Sequence, residues 1–239
     1  MPTTPEGRRP LKTRDWPFFQ KLAASLARSG VTPNAISFAS IIFGVLAGAA
    51  LAATLNPNAW VTRGCYLAAA AFIQLRLIAN LLDGMVAVEG GKGGPTGDLW
   101  NEAPDRVSDA AIFIGAGFAA GSSPLLGFAA ALVAVFVAYV RALGASVGAG
   151  QVFLGPMAKP HRMALMTGAC VLLAIFPPAR NTVFEQTTVD TYLHETYYVV
   201  QYHLGIMSAA LWLVIVGGIV TSIRRLLRIA VYLRTRSAS

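Results

Sequence analysis

The sequence predicts an all-α, polytopic membrane protein: six transmembrane helices preceded by an N-terminal amphipathic helix lying in the interface. Three observations lead there. Of the 239 residues, 55% are hydrophobic and only 13% charged, against roughly 25% charged in a soluble domain. The apolar residues fall in uncharged runs, from Ser29 to Thr62, Ala110 to Val140, Met163 to Ala179 and Leu204 to Ser222. About 20 apolar residues suffice to cross the hydrocarbon core. The net charge of +8 sits outside those runs: Arg8, Arg9, Lys12, Arg14, Lys21 and Arg28 precede the first, and Arg224, Arg225, Arg228, Arg234 and Arg236 follow the last. Both termini are therefore expected to be cytoplasmic.

Each element follows from local signals. Residues 1–14 read as a disordered basic arm. Between Asp15 and Arg28, Trp16, Phe18, Phe19, Leu22, Leu26 and Ala27 interleave with Lys21 and Arg28, as in an interfacial helix. Gly30 to Asn34 turns the chain into a first spanning helix over 35–55, which Asn56-Pro57-Asn58 ends. The second span is expected over 60–83, the third over 97–120 and the fourth over 124–145. Gly90 to Pro95 makes a cytoplasmic loop, and Gly121 to Pro124 a tight turn on the far side. A polar loop over 146–162 leads to the fifth span, 163–177, stopped by Pro177-Pro178. The stretch 179–203 carries Glu185, Asp190 and Glu195 against Arg180 alone and fits a far-side loop before the sixth span, 204–224. The predicted organisation is an arm and interfacial helix at 1–30, a six-helix domain at 31–228 and a basic tail at 229–239.

Other features are bland. Trp60, Trp100 and Trp212 lie near predicted helix ends, as in an aromatic belt. Gly44, Ala47 and Gly48 permit close helix packing. Cys65 and Cys170 have neither disulfide nor metal spacing and read as packing residues. The first apolar run begins about thirty residues in with no cleavage-like end, so no signal peptide is expected. Basic tails can also bind nucleic acid, but beside such apolar runs they read as membrane anchors, and no nucleic-acid partner is expected.

Six of the eleven acidic residues lie between Asp83 and Asp109. Acids at a membrane boundary are expensive and call for a cation, a pocket or both. Asn80, Asp83 and Ala87 share one face of the second span; Asn101, Asp105 and Asp109 share one face of the third. With a short glycine-rich loop between them, the two helices are expected to pack as antiparallel neighbours with these faces together. Hard divalent cations such as Mg²⁺ take such oxygen ligands and bridge substrate phosphates. Gly84, Ala87 and Gly97 leave room for a ligand near the backbone.

This arrangement resembles the CDP-alcohol phosphotransferase family, whose signature is D-x2-D-G-x2-A-R-x8-G-x3-D-x3-D. From Asn80 the spacing holds without a gap: Asp83, Gly84, Ala87, Gly97 and Asp105 match, while Asn80, Val88 and Asn101 depart. Val31 to Asn34 and Lys159 to Arg162, at the starts of the first and fifth spans, extend the resemblance over most of the chain. It implies transfer of a phosphatidyl group from a CDP-linked lipid donor, such as CDP-diacylglycerol, to an alcohol acceptor, releasing CMP in phospholipid synthesis. It further implies Mg²⁺ or Mn²⁺ held by Asp83, Asn80, Asn101 and Asp105. Gly84, Ala87 and Gly97 would hold the CDP moiety, with Asp105 as catalytic base or second-metal ligand. A homodimer in a bacterial inner membrane, with a cytoplasmic site, is the implied setting.

The departures shape the expectation. Two asparagines in place of aspartates remove two negative charges, which leaves a pair of divalent ions poorly balanced. Asp98, Glu102 and Asp109 are nearby replacement ligands. Arg76, one turn before Asn80 on the same face, either takes the place of a second cation or pairs structurally with Asp98 or Asp109. Arg141, Lys159 and Arg162 border the loop before the fifth span. They either anchor the chain by the positive-inside rule or, together with Arg76, bind the phosphate of a phosphorylated acceptor. His161, His194 and His203 are given no role, and Tyr139 reads as packing. The competing class is a catalytically weak relative that binds nucleotide or lipid, or a partner protein. A transporter would set its ionisable groups near the bilayer middle; here, Arg76 aside, they gather at one end.

Overall fold

The computed structural model describes residues 15–56, 58–89, 97–176, 182–186 and 202–237. The expected basic arm, the Gly90–Pro95 loop and most of the stretch 179–203 lie outside the described residues, as do the side chains of Asp98 and Asn101. Seven helices are described: α1 Pro17–Arg28, α2 Pro33–Ala52, α3 Ala59–Glu89, α4 Gly97–Gly117, α5 Pro124–Ser146, α6 Lys159–Ile175 and α7 Ile206–Ser237. Four of them, α2, α3, α5 and α7, are long and apolar enough to cross a membrane.

The boundaries follow local chemistry. Thr32 caps α2, its hydroxyl accepting from the Ala35 N–H at 3.2 Å, with Pro33 in the first turn where a missing N–H costs nothing. Pro17, Pro124 and Pro160 likewise fall in the first turns of α1, α5 and α6, without a side-chain cap. Two helices overrun their expected ends. α3 continues six residues beyond Asp83, to Glu89, because Met85-Val86-Ala87-Val88 offers no breaker. α7 runs to Ser237 because Leu226, Leu227 and Leu233 stand among arginines, both good helix formers, with no glycine or proline after Gly218. α6 starts at Lys159 rather than near 163, which moves Lys159 and Arg162 from the expected loop onto a helix. A short antiparallel ribbon, β1 Thr182–Gln186 with β2 Tyr202–Gly205, falls in the expected far-side loop.

Packing corrects one expectation. α3 and α4 are not broad neighbours: α2 packs extensively against both and leaves them only a limited meeting. The reason is backbone proximity. A Cβ on Gly48 would sit 2.3 Å from the Ala111 carbonyl oxygen, and one on Gly115 would sit 2.2 Å from that of Gly48. Small residues thus let α2 and α4 approach to backbone contact. Behind this crossing the core gathers Leu51, Tyr66, Ile73, Phe113, Met166 and Leu211. α5 packs on α4 and α7, α6 on α3 and α7, and α1 on α3. At the end away from Asp105, the Gly121 carbonyl accepts both the Gly205 N–H at 3.0 Å and the Ser208 hydroxyl at 2.8 Å, fixing the start of α7.

Gly48→Leu is expected to lower the melting temperature in detergent by about 5 °C or more, since overpacking costs about 1–3 kcal/mol. Gly168→Ala, where a Cβ meets nothing within 4 Å, should leave it unchanged or slightly raised. Thermal unfolding followed by circular dichroism checks both.

Candidate active site

Where α3 and α4 do meet, they meet through charge. Arg76, Asn80 and Asp83 lie along one face of α3, and Asp105 and Asp109 one turn apart on α4. α6 brings Lys159 and Arg162 against them from its first turn.

Asp105 is the hub. Its Oδ1 accepts from Arg76 Nη2 at 3.1 Å and from Asn80 Nδ2 at 2.5 Å. Its Oδ2 accepts from Lys159 Nζ at 2.5 Å, with Arg106 Nη2 further off at 3.7 Å. Arg76 Nη2 also lies 3.4 Å from the Asp105 carbonyl oxygen. Asp109 is held between two arginines. Arg162 Nη2 donates to its Oδ2 at 2.9 Å, and Arg76 Nη2 lies 2.7 Å from its Oδ1, off the hydrogen-bonding axis, so that contact is Coulombic. Arg76, Arg162 and Asp109 are all 1% exposed or less. Burial of that kind is tolerated only when charges are paired.

Asp83 stands apart from this network. Its Oδ2 accepts from the Ser37 hydroxyl of α2 at 2.8 Å, and its Oδ1 from the Gly84 N–H at 2.6 Å. Glu102 pairs with Arg106 at 3.2 Å and with Arg141. The Arg141 guanidinium also lies over the Phe153 ring, 5.8 Å from its centroid. A cavity of about 200 Å³ opens here, walled by Asn80, Asp105, Arg106, Arg141, Phe153 and Lys159 among others.

The structure therefore brings together most of the residues singled out in the sequence. Asn80, Asp105, Arg141, Lys159 and Arg162 reach the cavity wall, and Arg76 lies buried beneath Asp105. Arg76 is fully buried, and Nη1 and Nη2 of Arg162 are engaged by Met157 O and Asp109. Burial of both guanidinium groups keeps them from the open position expected of a phosphate ligand. Of the two structural pairings open to Arg76, that with Asp109 is present. Gly97 opens α4 with free space at its Cβ position, and Val88, in the signature's arginine position, is 63% exposed.

Three residues escaped the sequence reading. Ser37 is a lone hydroxyl in an apolar run, with nothing local to link it to Asp83. Arg106 was passed over beside its acidic neighbours. Arg225 was counted among the anchoring arginines but is buried, its guanidinium donating to the Leu154 and Val137 carbonyls, each at 2.9 Å. It holds the loop before α6 against α5.

The donor chemistry suits a divalent ion. Carboxylates of Asp83 and Asp105 and the amide oxygen of Asn80 are hard oxygen ligands, and Mg²⁺ is commonly held by one or two carboxylates with substrate phosphates completing the shell. Among the described residues, no three His, Cys, Asp or Glu side chains form a full protein cage. The donor types suit an ion that shares its ligands with a substrate, and Asp83 is the carboxylate outside the ion network around Asp105.

No family model matches the chain. The phosphatidylinositol phosphate synthase of Mycobacteroides abscessus is 28% identical over 158 residues, covering 63% of this chain and 66% of that protein, so the match falls just short of two thirds of the relative's length. Among solved structures, the phosphatidylinositol phosphate synthase of Mycobacterium tuberculosis in complex with manganese and citrate superposes with a TM-score of 0.65 at 18% identity, over 88% of each chain. The same enzyme with CDP-DAG bound gives a TM-score of 0.65 at 19% identity, over 88% of this chain and 92% of that one. Those structures share the fold. The sequence match and the signature spacing from Asn80 to Asp105 add a similarity to phosphatidylinositol phosphate synthases.

Proposed function

We propose that this chain is an integral membrane transferase that moves a phosphatidyl group from a CDP-linked lipid donor, such as CDP-diacylglycerol, to the hydroxyl of an alcohol acceptor, releasing CMP in phospholipid synthesis. The observation that carries this reading is Asp105 in a cavity wall beside Lys159, Arg106 and Arg141. It sets a carboxylate able to take a proton among cations suited to phosphates. The similarity to phosphatidylinositol phosphate synthases points to the same chemistry.

In this reading Asp83, Asn80 and Asn101, with Asp105 as base or further ligand, would hold a Mg²⁺ or Mn²⁺ ion, which would supply charge neutralisation on the diphosphate. Gly84, Ala87 and Gly97 line the CDP moiety. The acceptor oxygen attacks the phosphorus bearing the diacylglycerol, and the P–O bond to CMP breaks. CMP leaves with the bonding pair, and the hydroxyl proton passes to Asp105 Oδ2. Lys159 occupies that oxygen, so it must first let go, and a phosphate entering the cavity gives its ammonium another anion. Arg76 and Asn80 keep hold of Oδ1 meanwhile and fix the carboxylate. Arg141 and Lys159 would bind the phosphate of a phosphorylated acceptor, while Arg162 holds Asp109 in place.

The same reading makes six of the helices spans, adding α4 and α6 to the four apolar ones. At 21 and 17 residues they reach about 31 and 25 Å. α1 lies in the interface. The unit 31–228 forms the transferase domain between the arm and the tail, with termini and site on the cytoplasmic side of a bacterial inner membrane and two copies in a homodimer. One observation favours a second reading: both Asp105 oxygens are already occupied by the protein's own groups, as suits a donor-binding relative without turnover.

The purified protein, given CDP-diacylglycerol, Mg²⁺ or Mn²⁺ and a panel of alcohols, is expected to release CMP with one acceptor. Asp105→Asn should cut that rate by at least ~100-fold. Donor binding without release from any acceptor would support the second reading instead. Arg141→Ala should raise the KM for a phosphorylated acceptor about tenfold or more while leaving that for the donor alone, since a hydrogen bond to a charged group contributes about 1.5–3 kcal/mol. Steady-state kinetics with each substrate varied in turn separates the two.

A further inference from the structure

Arg76 and Arg162 are the two largest fully buried side chains among the described residues, and Arg76 is 0% exposed. Its Nε and Nη1 have no hydrogen-bond partner, and Nη2 alone serves both Asp105 and Asp109. As a counterion it is a second close cation on each carboxylate. Asp109 already has Arg162 at 2.9 Å, and Asp105 already has Lys159 at 2.5 Å. A buried, half-satisfied guanidinium is a costly way to duplicate those pairs. Its placement is that of a cation bridging two carboxylates, the task a second divalent ion performs in a two-metal site.

Charge balance leads to the same place. Among the described residues, four carboxylates (Asp83, Glu102, Asp105 and Asp109) face five cationic side chains (Arg76, Arg106, Arg141, Lys159 and Arg162). The region is neutral to slightly positive before any metal binds. One divalent ion is matched by the diphosphate of a CDP-linked donor; a second would add two unbalanced charges beside buried arginines. Asn80 belongs to the same arrangement, because it donates its amide to Asp105 Oδ1 where an aspartate would have needed a cation between the two.

We infer that Arg76, with Lys159, permanently occupies the place of a second divalent cation, so that each chain binds one divalent ion, on the Asp83 and Asn80 side of the site. This rests on the transferase reading for the identity of the donor, but the ion count does not depend on turnover.

The purified full chain in nanodiscs, titrated with Mn²⁺ while free Mn²⁺ is read by electron paramagnetic resonance, tests it with and without CDP-diacylglycerol. One Mn²⁺ per chain is expected in both titrations. Two per chain, or none, overturns the inference whatever the enzyme does. Tightening of that one site by at least tenfold with donor supports the transferase reading; no change counts against that reading and leaves the ion count to stand. In the double variant Arg76→Gln with Asn80→Asp, a second Mn²⁺ should appear. If that variant is folded by circular dichroism and still binds one ion, Arg76 is not the surrogate. If it does not fold, the wild-type count decides alone.

Discussion

The buried ion network around Asp105 and Asp109 is the constraint on which the rest of this structure depends. α2 keeps α3 and α4 largely apart, so little apolar packing joins those two helices. What joins them is Arg76 and Asn80 of α3 reaching Asp105 and Asp109 of α4, and Lys159 and Arg162 of α6 closing the same carboxylates from a third side. Such a network is strong only when complete. Removing one charge from a set buried this deeply strands its partners and costs about 3–5 kcal/mol. The site and the junction of three helices are therefore one object, and substitutions in it will rarely leave stability untouched.

The glycine crossing of α2 and α4 is what lets this junction form. Backbone contact at Gly48 and Gly115 sets the depth at which α4 sits. One turn nearer the site, the Ser108 hydroxyl donates to the Ser40 and Pro104 carbonyls, at 3.1 and 2.8 Å. That bond ties α2 to α4 just beside Pro104, where the helix lacks one N–H. α2 also supplies Ser37 to Asp83. A helix with no charge of its own thus sets the position of both Asp83 and Asp105, through small residues, the Ser37 hydroxyl and the Ser40 carbonyl.

Much of this was legible in the sequence, for a reason tied to spacing. Asn80, Asp83 and Asp105 stand at fixed intervals across one short loop, and helical geometry turns such intervals into a shared face. Arg76 was legible in the same way, one turn before Asn80. Partners distant in sequence were not. Lys159 meets Asp105 across 54 residues, and Ser37 meets Asp83 across 46; no local pattern encodes either contact. The expected direct packing of α3 on α4 failed because a short loop constrains only where two helices join, while the small residues of α2 decide what lies between them. Arg225 misled because the positive-inside rule counts arginines without regard to burial, and this one is spent on backbone carbonyls.

The departures from the family signature are better understood together than singly. An aspartate at position 80 would bring a second carboxylate to within hydrogen-bonding distance of Asp105, an arrangement that requires a cation between them or a shared proton. An asparagine there turns repulsion into a donated hydrogen bond, and an arginine one turn earlier then neutralises the remaining carboxylates without an ion from solution. Either change alone would be unfavourable. Arg76 beside two more aspartates would compete with metal for the same oxygens, and Asn80 without Arg76 would leave Asp105 and Asp109 buried with one cation fewer. The two residues form a single solution to the same electrostatic problem, with Asn80 and Arg76 both engaged on Asp105 Oδ1.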